Sequence, residues 1–374
     1  MTATDQPATT ATTATAPTSP VDDPTAAGSG PLDSAVPDAD ELETEAARVL
    51  PENVVGYFRG PTGAYGVPTD ADRWSQVRFR PHVLRDTSAL SLATTVLGTP
   101  VSTPVLVAPM AQQRAAHPDG EVATARAALA RGTLLGVSTN TGVRFADVGA
   151  VGAPWWFQVY VMDDREATAQ VVQQAAHDGA SALVLTVDAP GVDPRRPQHE
   201  PRSWPDRYGM QVNLPGGDTG QAVFRGSRNL SVDDIGWLGE LTGLPVVVKG
   251  VLRGDDAVRC VDAGAAGVVV STHGGRCLNQ TVRTADALPE VAAAVGDRAE
   301  VYVDSGIRTP EHVAAALCLG ARAVFVGRPV LWALATGGSQ RVEQLLAGID
   351  THLERALRSL GVNSLDELGP DLVA

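Results

Sequence analysis

The chain has 374 residues, 44% of them hydrophobic, and a formal net charge of −14. That length supports one large domain with a real core. Residues 1–47 hold nine Asp or Glu and no Lys or Arg, so the remainder carries only −5, which argues against nucleic acid as a partner.

Residues 1–40 are rich in Thr, Ala, Pro, Asp and Ser without apolar periodicity, and read as a disordered acidic tail ahead of a single domain over 41–374. The start lacks the basic and apolar regions of a secretory signal. No stretch approaches the roughly 18 apolar residues of a membrane span. Cys260, Cys277 and Cys318 form no close pair and no metal-ligand spacing, which fits a reducing cytoplasm and implies no metal site.

Residues 41–85 read as a helical appendage with a loop. From about residue 100, short apolar runs alternate with helical segments. Strands are expected over 104–108, 134–138, 156–160, 182–187, 245–249, 267–271, 300–304 and 322–326. Helices are expected over 119–131, 143–149, 164–178, 231–242, 254–264, 285–296, 310–319 and 338–360. Asp119, Asp164, Ser231 and Thr309 stand where N-caps would. Gly132, Gly179, Gly264 and Gly320 stand just past helix ends. Eight strand–helix units predict a (β/α)8 TIM barrel, and no G-x-G-x-x-G follows a first strand to suggest an open dinucleotide-binding sheet. The Pro/Gly/Arg-rich stretch 190–230 reads as an irregular, lid-like loop.

Active sites on this fold gather at the C-terminal ends of the strands. Unusual polar or glycine-rich signatures end nearly every predicted strand here: Ala108-Pro-Met-Ala111, Ser138-Thr139, Gln158 with Tyr160, Thr186 with Asp188, Lys249, Ser271-Thr-His-Gly-Gly-Arg276, Asp304-Ser-Gly-Ile-Arg308 and Gly327-Arg328. Lys249 is the only lysine in the chain; arginine supplies the rest of the 29 basic residues. A compact ammonium at the mouth of a buried strand is chemically distinct from a guanidinium fork. Gly306, Arg308, Gly327 and Arg328 follow strands seven and eight, where barrels of this kind bind phosphate. His273, flanked by Gly274 and Gly275, is a candidate general base, with Asp188 as the carboxylate that fixes its tautomer. His117 and His312 read as structural.

At these residues the chain resembles the FMN-dependent α-hydroxy-acid oxidase and dehydrogenase family of glycolate, lactate and mandelate enzymes, from about Leu50 to the C-terminus. Ala116-His-Pro-Asp-Gly-Glu-Val-Ala-Thr-Ala-Arg126, Trp156-Phe-Gln-Val-Tyr160, Leu185-Thr-Val-Asp188, Val247-Val-Lys-Gly250, His273-Gly-Gly-Arg276 and Val326-Gly-Arg-Pro-Val330 carry the likeness in order and spacing. The resemblance implies bound FMN. Pro109, Met110 and Ala111 would approach the flavin through the backbone. Ser138, Gln158 and Thr186 would hydrogen-bond the ring, and Ser271 would join the cofactor-binding set. Lys249 would stand beside N1 and the C2 oxygen. Asp304, Gly306, Arg308, Gly327 and Arg328 would hold the ribityl chain and phosphate. His273, paired with Asp188, would take the substrate hydroxyl proton. Arg276 and Arg195 would clamp the substrate carboxylate, and Tyr57 and Tyr160 would complete the pocket.

The chain departs from the family pattern at several positions. Thr272 stands for the usual Asn, Cys277 and Asn279 for Gln and Asp, Ser305 for Gly, and Met110 for Thr; Asp193-Pro194 precedes Arg195 in place of Gly-Arg. The implied activity is oxidation of a small (S)-2-hydroxy acid to the 2-oxo acid, with O2 reduced to H2O2, in a cytoplasmic homo-oligomer, a tetramer by resemblance. The alternatives are a dehydrogenase using another electron acceptor, an isopentenyl diphosphate isomerase-like FMN barrel (disfavoured by the arginine clamp), and a flavin-binding barrel without turnover.

Segment 1–40 has too little apolar surface to offset its ordering entropy. Deleting it should leave flavin content and melting temperature nearly unchanged, measured on the two purified proteins. A large loss of either would show that the tail docks on the body.

Overall fold

The computed structural model describes residues 1–2, 38–60, 68–189, 211–217, 226–278 and 280–374. Every element falls within the unit Ala35–Ala374. Helices α1 (Ala39–Val49), α2 (Glu52–Arg59) and α3 (Asp70–Trp74) form the expected appendage. Helix α1 starts inside the 1–40 segment because the Asp38 carboxylate accepts from the amides of Asp40 and Glu41. A truncation that spares this cap therefore ends ahead of Asp38. Most of the predicted tail lies outside the described residues.

A short antiparallel hairpin, β1 (Thr94–Val96) and β2 (Thr99–Val101), precedes the barrel and was not anticipated from the sequence; these strands are only three residues each. Eight parallel strands then alternate with helices: β3 (Val105–Met110), α4 (Gly120–Ala130), β4 (Leu135–Ser138), α5 (Phe145–Gly149), β5 (Trp155–Val159), α6 (Arg165–His177), β6 (Leu183–Thr186), α7 (Asp233–Thr242), β7 (Val246–Val251), α8 (Gly254–Asp262), β8 (Gly267–Val270), α9 (Thr284–Val295), β9 (Glu300–Val303), α10 (Pro310–Cys318), β10 (Ala323–Val326) and α11 (Arg328–Leu360). The strands close into a barrel, β10 pairing with β3 through Phe325 and Leu106. Their near-continuous apolar runs follow from burial on both faces.

The interior is filled by Trp156, Tyr302 and Phe325, from β5, β9 and β10, with ring centroids 5.4–6.0 Å apart. Residue 158 lies two along from Trp156 on the same face of β5. The strand register then sets Ser138 beside Gln158 and Thr186 beside Lys249. A polar layer thus sits on the aromatic one, at the C-terminal rim.

Helix boundaries follow their caps. Asp164 and Thr309 accept from the amides of Ala167 and His312. The N-cap of α7 is Val232, one past the expected Ser231, whose Oγ accepts from the Asp233 amide and whose amide donates to Asp234 Oδ2. Gly132, Gly179, Gly264 and Gly320 all take positive φ past helix ends. The Asp119 side chain does not cap α4 but pairs with Arg126. The last helix starts ten residues earlier than expected, at Arg328, and breaks at Gly337 and Gly338; the predicted helix matches the part beyond that kink. Of the 190–230 stretch, only 211–217 and 226–230 are described.

Glu121, in the first turn of α4, is fully buried, with only weak hydrogen bonding from the Thr141 hydroxyl and the local backbone to offset the loss of water. Burial pushes its pKa up to about 7. Its unfolded value is lower, so the folded state holds a proton that the unfolded chain releases as pH rises from about 4.3. Stability is lost across that window, up to about pH 7. Glu121→Gln should therefore gain on the order of 3 kcal/mol over wild type at pH 8 and almost nothing at pH 4, as measured by urea denaturation.

Candidate active site

The rim of the barrel opens into a cavity of about 180 Å3. Its lining includes Tyr57, Pro109, Met110, Ala111, Ser138, Gln158, Tyr160, Thr186, Lys249, His273, Arg276, Asp304, Gly306, Arg308, Gly327 and Arg328. The sequence-predicted residues are thus brought together, with three exceptions. Asp188 and Ser271 stand behind the wall, each touching His273. Arg195 lies outside the described residues.

On one wall, a hydrogen-bond chain runs along three strand ends. Ser138 Oγ donates to Gln158 Oε1 at 3.0 Å, and Gln158 Nε2 donates to Thr186 Oγ1 at 3.0 Å. Beside it, Lys249 Nζ meets Asp304 Oδ2 at 2.9 Å and donates to Ser271 Oγ at 2.8 Å. Burial opposes the ammonium charge, but the Asp304 and Asp188 carboxylates outweigh it, so the lysine's pKa is raised. It is a fixed, buried cation.

His273 sits on a left-handed turn, with φ of +55° at His273 and +64° at Gly274. Two hydroxyls hold that turn: Ser271 Oγ accepts from the His273 amide, and Ser305 Oγ accepts from the Gly274 amide. His273 Nδ1 donates to Asp188 Oδ1 at 2.9 Å, which leaves Nε2 as the acceptor, 3.3 Å from the Tyr160 hydroxyl. Burial works against an ionised Asp188, yet the His273 contact and the Lys249 charge hold its pKa below the usual carboxylate range. Burial, with Asp188 adding to it, raises the Tyr160 pKa and keeps that hydroxyl protonated.

Arg276 is fixed from behind. Its Nη2 donates to the carbonyls of Tyr57 and Phe58 at the end of α2, and its guanidinium lies 5.1 Å from the Tyr57 ring centroid. Helix α2 thus ties the appendage to the barrel rim. Arg308 and Arg328 line the same cavity, half-buried and without a carboxylate at ion-pair distance among the described residues, and Arg328 Nη2 donates to the Gly274 carbonyl. Burial lowers both pKa values; that of Arg328 is pushed down to about 9, with the Arg308 and Arg276 charges adding to the effect. Two half-buried guanidiniums lining one cavity call for an anion. His312 supports this end, its Nδ1 accepting from the Arg308 amide and its Nε2 meeting Ser75 Oγ.

Sequence reasoning missed the support behind the histidine turn. Asp70, buried on α3, accepts from Thr272 Oγ1 at 2.7 Å and from the Thr284 amide at 2.9 Å. Ser305 accepts from the Thr272 and Gly274 amides. Asp70 is more than 200 positions away in sequence from both threonines, so no spacing signal points to it.

A family model described as FMN-dependent dehydrogenase matches residues 46–374. The chain belongs to that family. An L-lactate oxidase from a Nostoc species is 40% identical over 313 residues, covering 79% of this chain and 86% of that protein. Human 2-hydroxyacid oxidase 1 is 36% identical over 354 residues, covering 89% and 95%. A crystal structure of mandelate oxidase with benzoyl-formic acid matches with a TM-score of 0.82 at 34% identity, covering 90% of this chain and 98% of that one.

The single lysine is a sharp test of the site. Arg in its place cannot sit as a compact point charge between Ser271 and Asp304. Lys249→Arg should lower FMN content or slow flavin reduction at least tenfold, read by absorbance and anaerobic stopped flow. Unchanged values for both would make the lysine incidental.

Proposed function

We propose that the protein is an FMN-dependent oxidase of a small (S)-2-hydroxy acid, giving the 2-oxo acid and passing electrons to O2 to form H2O2. The observation that carries this reading is that one cavity holds His273, backed by Asp188, together with the Arg308 and Arg328 pair. The oxidase names of the relatives support O2 as acceptor.

FMN fits the residues present. Its phosphate suits the half-buried Arg308 and Arg328, with the backbone around Gly306 and Gly327. Its ring suits the Ser138–Gln158–Thr186 chain, the Pro109–Ala111 backbone and the Lys249 cation. Once bound, FMN supplies the two-electron acceptor for the substrate carbinol carbon. His273 Nε2 takes the substrate hydroxyl proton, and Asp188 steadies the resulting imidazolium. Tyr160 holds its proton and donates a hydrogen bond beside Nε2. Arg276, with Arg195, orients the substrate carboxylate against Tyr57. Lys249, with Ser271 and Asp304 holding it, sets a positive charge at the ring where negative charge arrives.

The reading includes a homotetramer in a reducing cytoplasm. Among the described residues, no helix is long and apolar enough to cross a membrane.

A panel of 2-hydroxy acids mixed anaerobically with the yellow protein tests the reaction. At least one should bleach the flavin, and admitting O2 should restore the colour with H2O2 formed. His273→Gln should keep FMN and oxalate binding but reduce flavin about two to four orders of magnitude more slowly. Bleaching at the wild-type rate in that variant would place the base elsewhere. A protein that no 2-hydroxy acid bleaches would be a flavin-binding barrel without turnover.

A further inference from the structure

The dyad depends on how close Asp188 can come to strand β7, and one residue there governs that approach. Gly250 is the penultimate residue of β7, next to Lys249, at a break in the strand register: Lys249 pairs with Val269 of β8, and Val251 with Val270. It is therefore the extra residue of a bulge, with φ of +110°. A Cβ built on Gly250 would lie 2.5 Å from both Cβ and Cγ of Asp188, and 3.0 Å from the Asp188 amide nitrogen. These are the base of a short side chain and the backbone, neither of which can swing away.

Asp188 is held by His273, with the Lys249 charge nearby. Oδ1 accepts from His273 Nδ1, while Oδ2 is buried with no hydrogen-bond partner. The carboxylate thus has a side-chain hydrogen bond to His273, and its stem packs against the bare Gly250 backbone.

We propose that Gly250 is a positioning residue: the absence of its side chain makes the shelf on which Asp188 sits at hydrogen-bond distance from His273. This rests on the oxidase reading, in which that dyad moves the substrate proton. A methyl group at 250 would push Asp188 outward and slacken the dyad, leaving the carboxylate clamp at Arg276 untouched.

The alternative is that glycine serves only the left-handed backbone. Gly264 separates the two. It has a similar φ of +97°, but nothing lies within 4 Å of a Cβ built there. Gly264→Ala carries the backbone strain without the contact.

The test compares Gly250→Ala, Gly264→Ala, Asp188→Asn and the double variant Gly250→Ala/Asp188→Asn as holoenzymes. FMN content, oxalate binding and anaerobic flavin reduction are read on each. Gly250→Ala should keep FMN and oxalate affinity while reducing flavin about 100-fold more slowly, the usual effect of a misplacement near 1 Å. Gly264→Ala should reduce it at the wild-type rate. Because Gly250 acts through Asp188, the double variant should be no slower than Asp188→Asn alone. Additive losses in the double variant, or a wild-type rate in Gly250→Ala, would overturn the proposal. If Gly250→Ala does not fold or hold FMN, Asp188→Gly is added to remove the opposing atoms. Recovery of a folded yellow protein then supports the contact, and failure to recover overturns it. A wild-type enzyme that no 2-hydroxy acid bleaches defeats the oxidase reading instead, a result distinct from any of these.

Discussion

The rim is organised by one buried cation. Lys249 reaches from the end of β7 to Ser271 past the end of β8 and to Asp304 past the end of β9, tying three neighbouring strand ends together. An ammonium this deeply buried is tolerable only when paired, and removing one partner of such a pair is strongly destabilising. Ser271 also receives the His273 amide, so the ion pair and the histidine turn share a hydroxyl. The charge that suits a flavin ring and the geometry of the proposed base are therefore coupled through one side chain.

Close backbone approach is the second constraint. The turn that presents His273 bends through left-handed residues, and Gly274 packs directly against the Arg328 guanidinium. A Cβ on Gly306 would lie 2.5 Å from the backbone of Asp70 and Ala71. Glycines here let loops from different strands share a space too small for side chains. The Arg328 side chain and the His273 turn are consequently parts of one packed unit.

Two departures from the family pattern meet each other. Ser305 stands where the family carries glycine and takes φ of +67°, a region that glycine enters freely and serine does not. Its hydroxyl accepts from the amide of Thr272, which itself stands where the family carries Asn. Thr272 in turn donates to Asp70. The strained serine is thus accompanied by hydrogen bonds that hold the following histidine turn.

The strand periodicity, the glycines past helix ends and the polar signatures at strand ends determined the eight-fold barrel and which rim would carry chemistry. They did so because a parallel strand buried on both faces leaves a continuous apolar run in the sequence, interrupted only where it meets solvent or ligand. The lone lysine and the His273-Gly-Gly-Arg276 run were legible for the same reason. The short hairpin Thr94–Val101 and the early start of the last helix at Arg328 were not, since three-residue strands and a kink at paired glycines leave little pattern. Only the tertiary structure decided that Asp70, distant in sequence, stands behind the histidine turn, that Arg276 is held by the end of α2, and that Gly250 faces Asp188. Those relations arise from packing between strands and loops far apart along the chain, and local sequence does not encode distance across a barrel.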